Sequence, residues 1–211
     1  MVRKNFAGAY LRKKAGKAAP GREPAMMVEK NRIRDEYLAR RARIPGALRH
    51  AKSAKIVEQL SKSSLFQSHE RVLCYAALPE EADLTGIRTQ CTKMGKRIAF
   101  PKVCGDEILF FETLPQDILT EGSFHVPEPD AAGKSPVLWE DALCLTPGIV
   151  FDRNGNRFGY GRGFYDRYFA AYPHLTRCGI AFAEQISKLP LPIEDTDLPV
   201  HFLLTEDGFL L

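Results

Sequence analysis

At 211 residues, with 45% hydrophobic and 27% charged side chains, the chain suits one globular domain and contains no apolar run near the ~20 residues needed to cross a bilayer. Its net charge of +4 is unevenly placed: Arg3, Lys4, Arg12, Lys13, Lys14, Lys17 and Arg22 face Glu23 alone within residues 1–24, leaving the remainder slightly acidic. That balance argues against a nucleic-acid-binding body, and the start lacks the apolar stretch of a secretory leader, so a cytoplasmic protein without a membrane segment is expected.

Residues 1–24 combine Lys, Arg, Ala, Gly and Pro with little apolar periodicity, and are expected to form a disordered basic arm ahead of a single α/β domain over 25–211. A helix is predicted from Val28 to about Arg43, stopped before Pro45-Gly46, and a second through Leu48, Ala51, Val57 and Leu60. The near-continuous apolar run from Arg71 to Leu78 then marks a strand buried on both faces. Leu84, Ile87, Cys91 and Met94 recur at helical spacing, with Gly95 placed to end that helix. Short strands follow at 97–100 and 108–111, and further buried strands at 142–145, 178–182 and 201–205. Strands interleaved with helices predict a mostly parallel sheet sandwiched by helices, preceded by an N-terminal helical segment. Cys74, Cys91, Cys104, Cys144 and Cys178 include no Cys-x-x-Cys pair and sit mainly among apolar neighbours, as small buried hydrophobes do. Trp139 reads as a partly buried hydrophobe, and the five histidines share no metal-ligand spacing.

The segment most charged with chemistry runs from Thr146 to Tyr168, starting where a buried strand ends. Asp152 to Asn156 predict a turn around Gly155, and Gly159, Gly161 and Gly163 alternate before an aromatic-rich helix beginning near Phe164. Alternating glycines let a backbone approach a ligand closely and turn several N–H groups into one concavity. Ahead of a helix N-terminus such donors suit phosphate. Arg157 and Arg162 flank the loop as cations able to grip phosphate oxygens, and Asp166 could hold a magnesium ion bridging phosphates. The spacing is neither the dinucleotide fingerprint nor the P-loop; a plain strand-to-helix turn is the alternative.

The stretch from Asn156 to Arg167 resembles the signature of the 5-formyltetrahydrofolate cyclo-ligase family, also called methenyltetrahydrofolate synthetases. Further ordered likenesses are Lys30-Asn-Arg-Ile-Arg34, Leu78-Pro-Glu-Glu-Ala-Asp83, Val126-Pro-Glu-Pro129 and Ala181-Phe-Ala-Glu-Gln185, so the resemblance spans roughly residues 28 to 206. It implies an α/β sandwich. It implies ATP contacts from Lys30, Arg34 and the loop formed by Arg157, Phe158, Gly159, Tyr160, Gly161, Arg162, Gly163, Phe164 and Tyr165. Reduced-folate contacts are implied for Glu81, Tyr160, Gly161, Arg162, Gly163 and Phe164, with Mg2+ near Asp166. Arg157 and Arg162 are expected to stabilise the transferred phosphoryl charge, with ATP and a reduced folate as substrates and the enzyme a monomer or weak oligomer. The chain departs from the family pattern at Phe164, where Tyr is usual, and at His201, where some members carry an acid near the metal. Tyr160 and Arg162 occupy variable positions, and the basic arm has no counterpart. Taken alone, Lys30 and Arg34 are a solvated basic helix face, and Glu81 is a loop carboxylate at a strand end. The rival readings are a binding paralogue without turnover and a protein that uses the arm to bind RNA.

Overall fold

The computed structural model describes residues 23–211, so the expected disordered arm lies outside the described residues apart from its last two positions. Those two, Glu23 and Pro24, open helix α1 (Glu23–Ala42) rather than preceding it. Proline is tolerated in a first turn because its missing N–H has no intrahelical partner there, so the helix begins five residues before the expected Val28. It ends as expected before Pro45, which forces its predecessor out of the helical region.

Helix α2 (Gly46–Lys62) buries Ile56 and Leu60, and a one-turn helix, α3 (Ser64–Ser68), follows. The Ser63 hydroxyl caps α3 by accepting from the Phe66 N–H at 3.1 Å. Strand β1 (Arg71–Leu73) leads to helix α4 (Thr85–Lys93), which ends ahead of Gly95 at φ +66°. A hairpin of β2 (Arg97–Cys104) and β3 (Glu107–Glu112) turns at Gly105, and a small ribbon pairs β4 (Thr120–Glu121) with β5 (Pro127–Glu128). Then come β6 (Leu143–Thr146), a second ribbon of β7 (Val150–Phe151) and β8 (Arg157–Phe158), and helix α5 (Phe164–Ala171). The chain closes with β9 (Thr176–Ile180), β10 (Phe202–Thr205) and β11 (Gly208–Phe209).

Seven strands form one sheet in the order β11-β10-β9-β6-β1-β2-β3. The β10, β9, β6, β1 and β2 strands are parallel neighbours, and an antiparallel strand finishes each edge. The expected mostly parallel sheet between helices is therefore present. Alternation across β1 explains its unbroken apolar run: Val72 and Cys74 face Ile56, Leu60, Phe66 and Ile87 of α2 to α4, while Leu73 faces Tyr168 and Phe169 of α5. Each fully buried Val, Leu, Ile or Phe side chain among them contributes about 1.5–3 kcal/mol.

The pairing of β1 is shorter than its apolar run. Cys74 N–H still reaches Ala99 O at 2.9 Å, but residues 75–78 leave the ladder while Tyr75 and Ala76 stay buried. Burial, rather than pairing, made that stretch apolar. From β1 the chain moves outward to β2 and β3, then crosses back to β6 on the other side of β1. In open parallel sheets such a reversal leaves a crevice at the carboxyl ends of the two diverging strands.

Candidate active site

A cleft of about 1230 Å³ opens at this crevice. Tyr75, Ala76 and Glu81 reach it from the end of β1, and Met27, Lys30 and Arg34 from α1. The glycine loop forms a further wall, and Phe124 with Glu128 and the 194–198 segment close the rim.

The loop's course follows from local chemistry. Asp152 is 1% exposed, and its carboxylate accepts from the N–H groups of Asn154 and Asn156 at 2.9 and 3.0 Å, closing the β7–β8 turn. Gly155 sits in that turn at φ +81°, where an added Cβ would lie 2.4 Å from Val200 O. Beyond β8 the chain passes through Gly161 at φ +85° and reaches Gly163 at φ +63°, which caps α5. The expected turn, glycine loop and helix start at Phe164 are all present.

Arg34 is built into this loop. Its Nε donates to Gly159 O at 2.9 Å, its Nη1 to Asn31 Oδ1 at 2.7 Å, and its guanidinium lies 3.7 Å from where a Gly161 side chain would begin. Lys30 is buried and bonds Glu194 at 2.8 Å and Asp197 at 2.7 Å, with its ammonium 5.4 Å above the Phe158 ring. The two residues therefore share the cleft face of α1 instead of a solvated one.

The two loop arginines differ. Arg157 is buried: its Nη2 donates to Asp166 Oδ1 at 3.0 Å, its guanidinium lies 5.5 Å from the rings of Tyr165 and Phe169, and its Nε lacks a hydrogen-bond partner among the described residues. Arg162 is exposed at the rim, with its guanidinium 4.8 Å from the Phe124 ring. Phe164 tilts against the same ring at 6.3 Å. Asp166 stands in the first turn of α5 and also accepts from Leu198 N–H at 3.3 Å, again through Oδ1.

Glu81 is 8% exposed and accepts from the Leu78 N–H at 3.0 Å. Burial raises its carboxyl above the ordinary range, opposed by the Leu78 hydrogen bond, the nearby Arg41 charge and the Tyr160 hydroxyl. The Tyr160 phenol is raised by burial and then by the charge of Glu81. Glu81, the loop and the N-terminal helix thus meet around one cleft. His201 does not join them; its ring bonds Arg177, Nε2 to Nη2 at 2.7 Å, and burial lowers its pKa.

Sequence reasoning missed several groups at the cleft and behind its wall. Phe124 and His125 adopt left-handed φ of 58° and 61° on consecutive residues, a strained arrangement that presents Phe124 half-exposed at the rim. Glu128 is 4% exposed and ties the rim together by accepting from Val103 N–H at 3.1 Å and Ser123 N–H at 3.2 Å. No periodicity marks these residues; the likeness at Val126-Pro-Glu-Pro129 contains Glu128 but gave it no role. Arg41 did carry a usable signal, because positions 30, 34, 37 and 41 follow one helix face.

Similarity to known proteins runs the length of this architecture. A Schizosaccharomyces pombe protein named "Probable 5-formyltetrahydrofolate cyclo-ligase" is 24% identical over 204 residues, covering 86% of this chain and 97% of its own. The Escherichia coli K12 5-formyltetrahydrofolate cyclo-ligase is 28% identical over 140 residues, covering 64% and 76% respectively. The solution structure of Aquifex aeolicus 5,10-methenyltetrahydrofolate synthetase superposes with a TM-score of 0.73 at 30% identity, over 85% of this chain and 91% of that one. Residues 26–206, which carry six of the seven strands of the sheet, the glycine loop and every cleft group described above, match the 5-formyltetrahydrofolate cyclo-ligase family, and the chain belongs to that family.

Proposed function

We propose that the cleft converts 5-formyltetrahydrofolate and ATP into 5,10-methenyltetrahydrofolate, ADP and phosphate. The observation that carries this reading is the convergence of two chemically distinct walls on one cleft. One wall is the glycine loop with Arg34 and Arg162, suited to phosphates; the other is the buried carboxylate of Glu81 beside apolar and aromatic groups, suited to the edge and faces of a pterin.

The formyl oxygen is a poor leaving group. In the proposed sequence it attacks the γ-phosphorus, the bond from that phosphorus to the β-bridging oxygen breaks, and ADP departs. N10 then attacks the formyl carbon and loses its proton, and the carbon–oxygen bond breaks to release phosphate. This chemistry depends on positioning and charge neutralisation rather than on a protein nucleophile. Arg162, exposed at the rim against the Phe124 ring, is proposed to follow the moving phosphoryl charge. Arg157 acts from beneath by holding Asp166 and the start of α5. Lys30 and Arg34 are proposed to meet ATP from α1, and Phe124 and Phe164 offer ring faces to the flat substrate.

The donor set fits a magnesium ion. Both protein hydrogen bonds to Asp166 fall on Oδ1, which leaves Oδ2 without a protein partner among the described residues. That suits an ion bound by one or two carboxylates and completed by substrate phosphates. Asp166 is the proposed ligand, and the bound ion would neutralise phosphate charge.

Mixing the protein with Mg-ATP and 5-formyltetrahydrofolate should produce the near-ultraviolet absorbance of the methenyl product, dependent on both substrates. A folded protein that binds both substrates but forms no product across varied pH and metal would point to a binding paralogue instead.

A further inference from the structure

Behind the cleft wall, Arg41 is 1% exposed, yet among the described residues only its Nη2 has a hydrogen-bond partner, the Tyr160 hydroxyl at 2.7 Å. Its Nη1 lies 3.7 Å from Glu81 Oε1, and its Nη2 lies 4.0 Å from Glu80 Oε2. A guanidinium buried with two unused donor nitrogens is costly unless a nearby anion compensates it. Glu80 is half exposed and solvent-screened; Glu81 is the anion that shares the buried site. Tyr160 and Glu81 line the cleft, whereas Arg41 does not. Arg41 therefore acts on the site only through these two groups.

We propose that Arg41 is a positioning residue that holds Glu81 as a charged acceptor and sets Tyr160 against it, so that the bound pterin edge meets a carboxylate of fixed direction. This rests on the folate reading of the cleft. The planar fork of Arg suits the task, because one guanidinium spans both the phenol and the carboxylate, which a lysine ammonium cannot do. The other groups around Glu81 cannot replace it. The Leu78 N–H is a neutral donor, and Glu80 is a like charge. Tyr75 gives its hydroxyl to Ala82 O at 2.7 Å, and the phenols of Tyr75, Tyr160 and Tyr165 are pushed up by burial and stay neutral. Arg41 is the full positive charge facing Glu81 in this set. The carboxyl, already raised by burial, would rise further without it.

The test is Arg41→Met, which keeps side-chain length without charge. Carbon-13 NMR titration of Glu81, assigned with Glu81→Gln, reads the carboxyl in the protein without ligands. Its midpoint should rise by about one pH unit or more, the usual size for loss of a close opposite charge. The acid limb of 5-formyltetrahydrofolate binding should rise with it, while ATP binding by calorimetry stays unchanged. Arg41→Lys should recover most of the titration midpoint but only part of the folate affinity. An unmoved midpoint in Arg41→Met overturns the proposal, as does a lower melting temperature with no change in the titration. Should Arg41→Met not fold, Arg41→Gln gives the same comparison. Wild-type protein that fails to bind 5-formyltetrahydrofolate would sink the folate reading, while the ligand-free titration still decides whether Arg41 governs Glu81.

Discussion

Arg162 and Glu81 illustrate two opposite ways in which a single residue serves a site. Arg162 is exposed and rests on an aromatic face, so removing it disturbs little packing. Arg162→Ala should lower kcat by roughly 2–4 kcal/mol of transition-state stabilisation, in line with the loss of one charge-stabilising donor. Its melting temperature should stay within a degree or two of wild type; a loss confined to melting temperature would make Arg162 structural. Glu81 is the reverse, a carboxylate held in a site that opposes its charge. Because burial raises its pKa, its ionised form is lost at a pH where an exposed glutamate is still charged. Folate affinity should accordingly fall as pH drops through that raised value, with ATP affinity nearly flat over the same range. Glu81→Gln should weaken folate binding by about 1–3 kcal/mol at neutral pH and remove this pH dependence. Calorimetry with each ligand separately checks both statements, and normal folate binding with lost ATP binding would reverse the assignment of the two walls.

At the scale of elements, the β7–β8 ribbon is a lever that aims the glycine loop. Its turn depends on Asp152 and on Gly155, whose left-handed φ is combined with close approach to Val200 O. Gly155→Ala should destabilise the protein by about 2–5 kcal/mol, left-handed strain plus overpacking against backbone. Activity should fall further than the folded fraction does, because β8 delivers Arg157 to Asp166. Urea melts alongside kcat measured on the folded population would separate the two effects; equal losses would mean the ribbon does not aim the loop. The α1 helix is the second element that shapes the cleft. Its polar sequence reads as a surface helix, yet Ile33, Tyr37 and Leu38 pack on Ile149, Val150 and Phe158, which turns Lys30, Arg34 and Arg41 inward.

For the whole molecule, family likeness begins at residue 26, and among the described residues the cleft takes its first side chain from Met27. A chain starting at Met26 should therefore keep kcat and melting temperature close to those of the full chain; a large loss of either would show that the preceding basic segment contributes to the folded enzyme. Much of this architecture was already legible in the sequence. The apolar runs that became β1, β6, β9 and β10, the helix stop at Gly95, the Gly155 turn and the glycine loop before Phe164 are local matters. Periodicity, turn chemistry and the left-handed tolerance of glycine act between near neighbours, so a linear reading captures them. Even the phosphate-binding role proposed for the loop rests on residues within one short segment. What the tertiary structure alone decided is which distant groups meet. The reversal of strand order at β1 brings Glu81, Arg41 and Tyr160 together across 119 positions, and the two arginines of one loop take opposite environments. Phe124 reaches the rim only because a strained turn presents it there. Charge state follows the same division. The sequence determined that Glu81 is a carboxylate and Arg41 a cation, but burial and a separation of 3.7 Å decide what each does to the other, and neither quantity exists until the chain has folded.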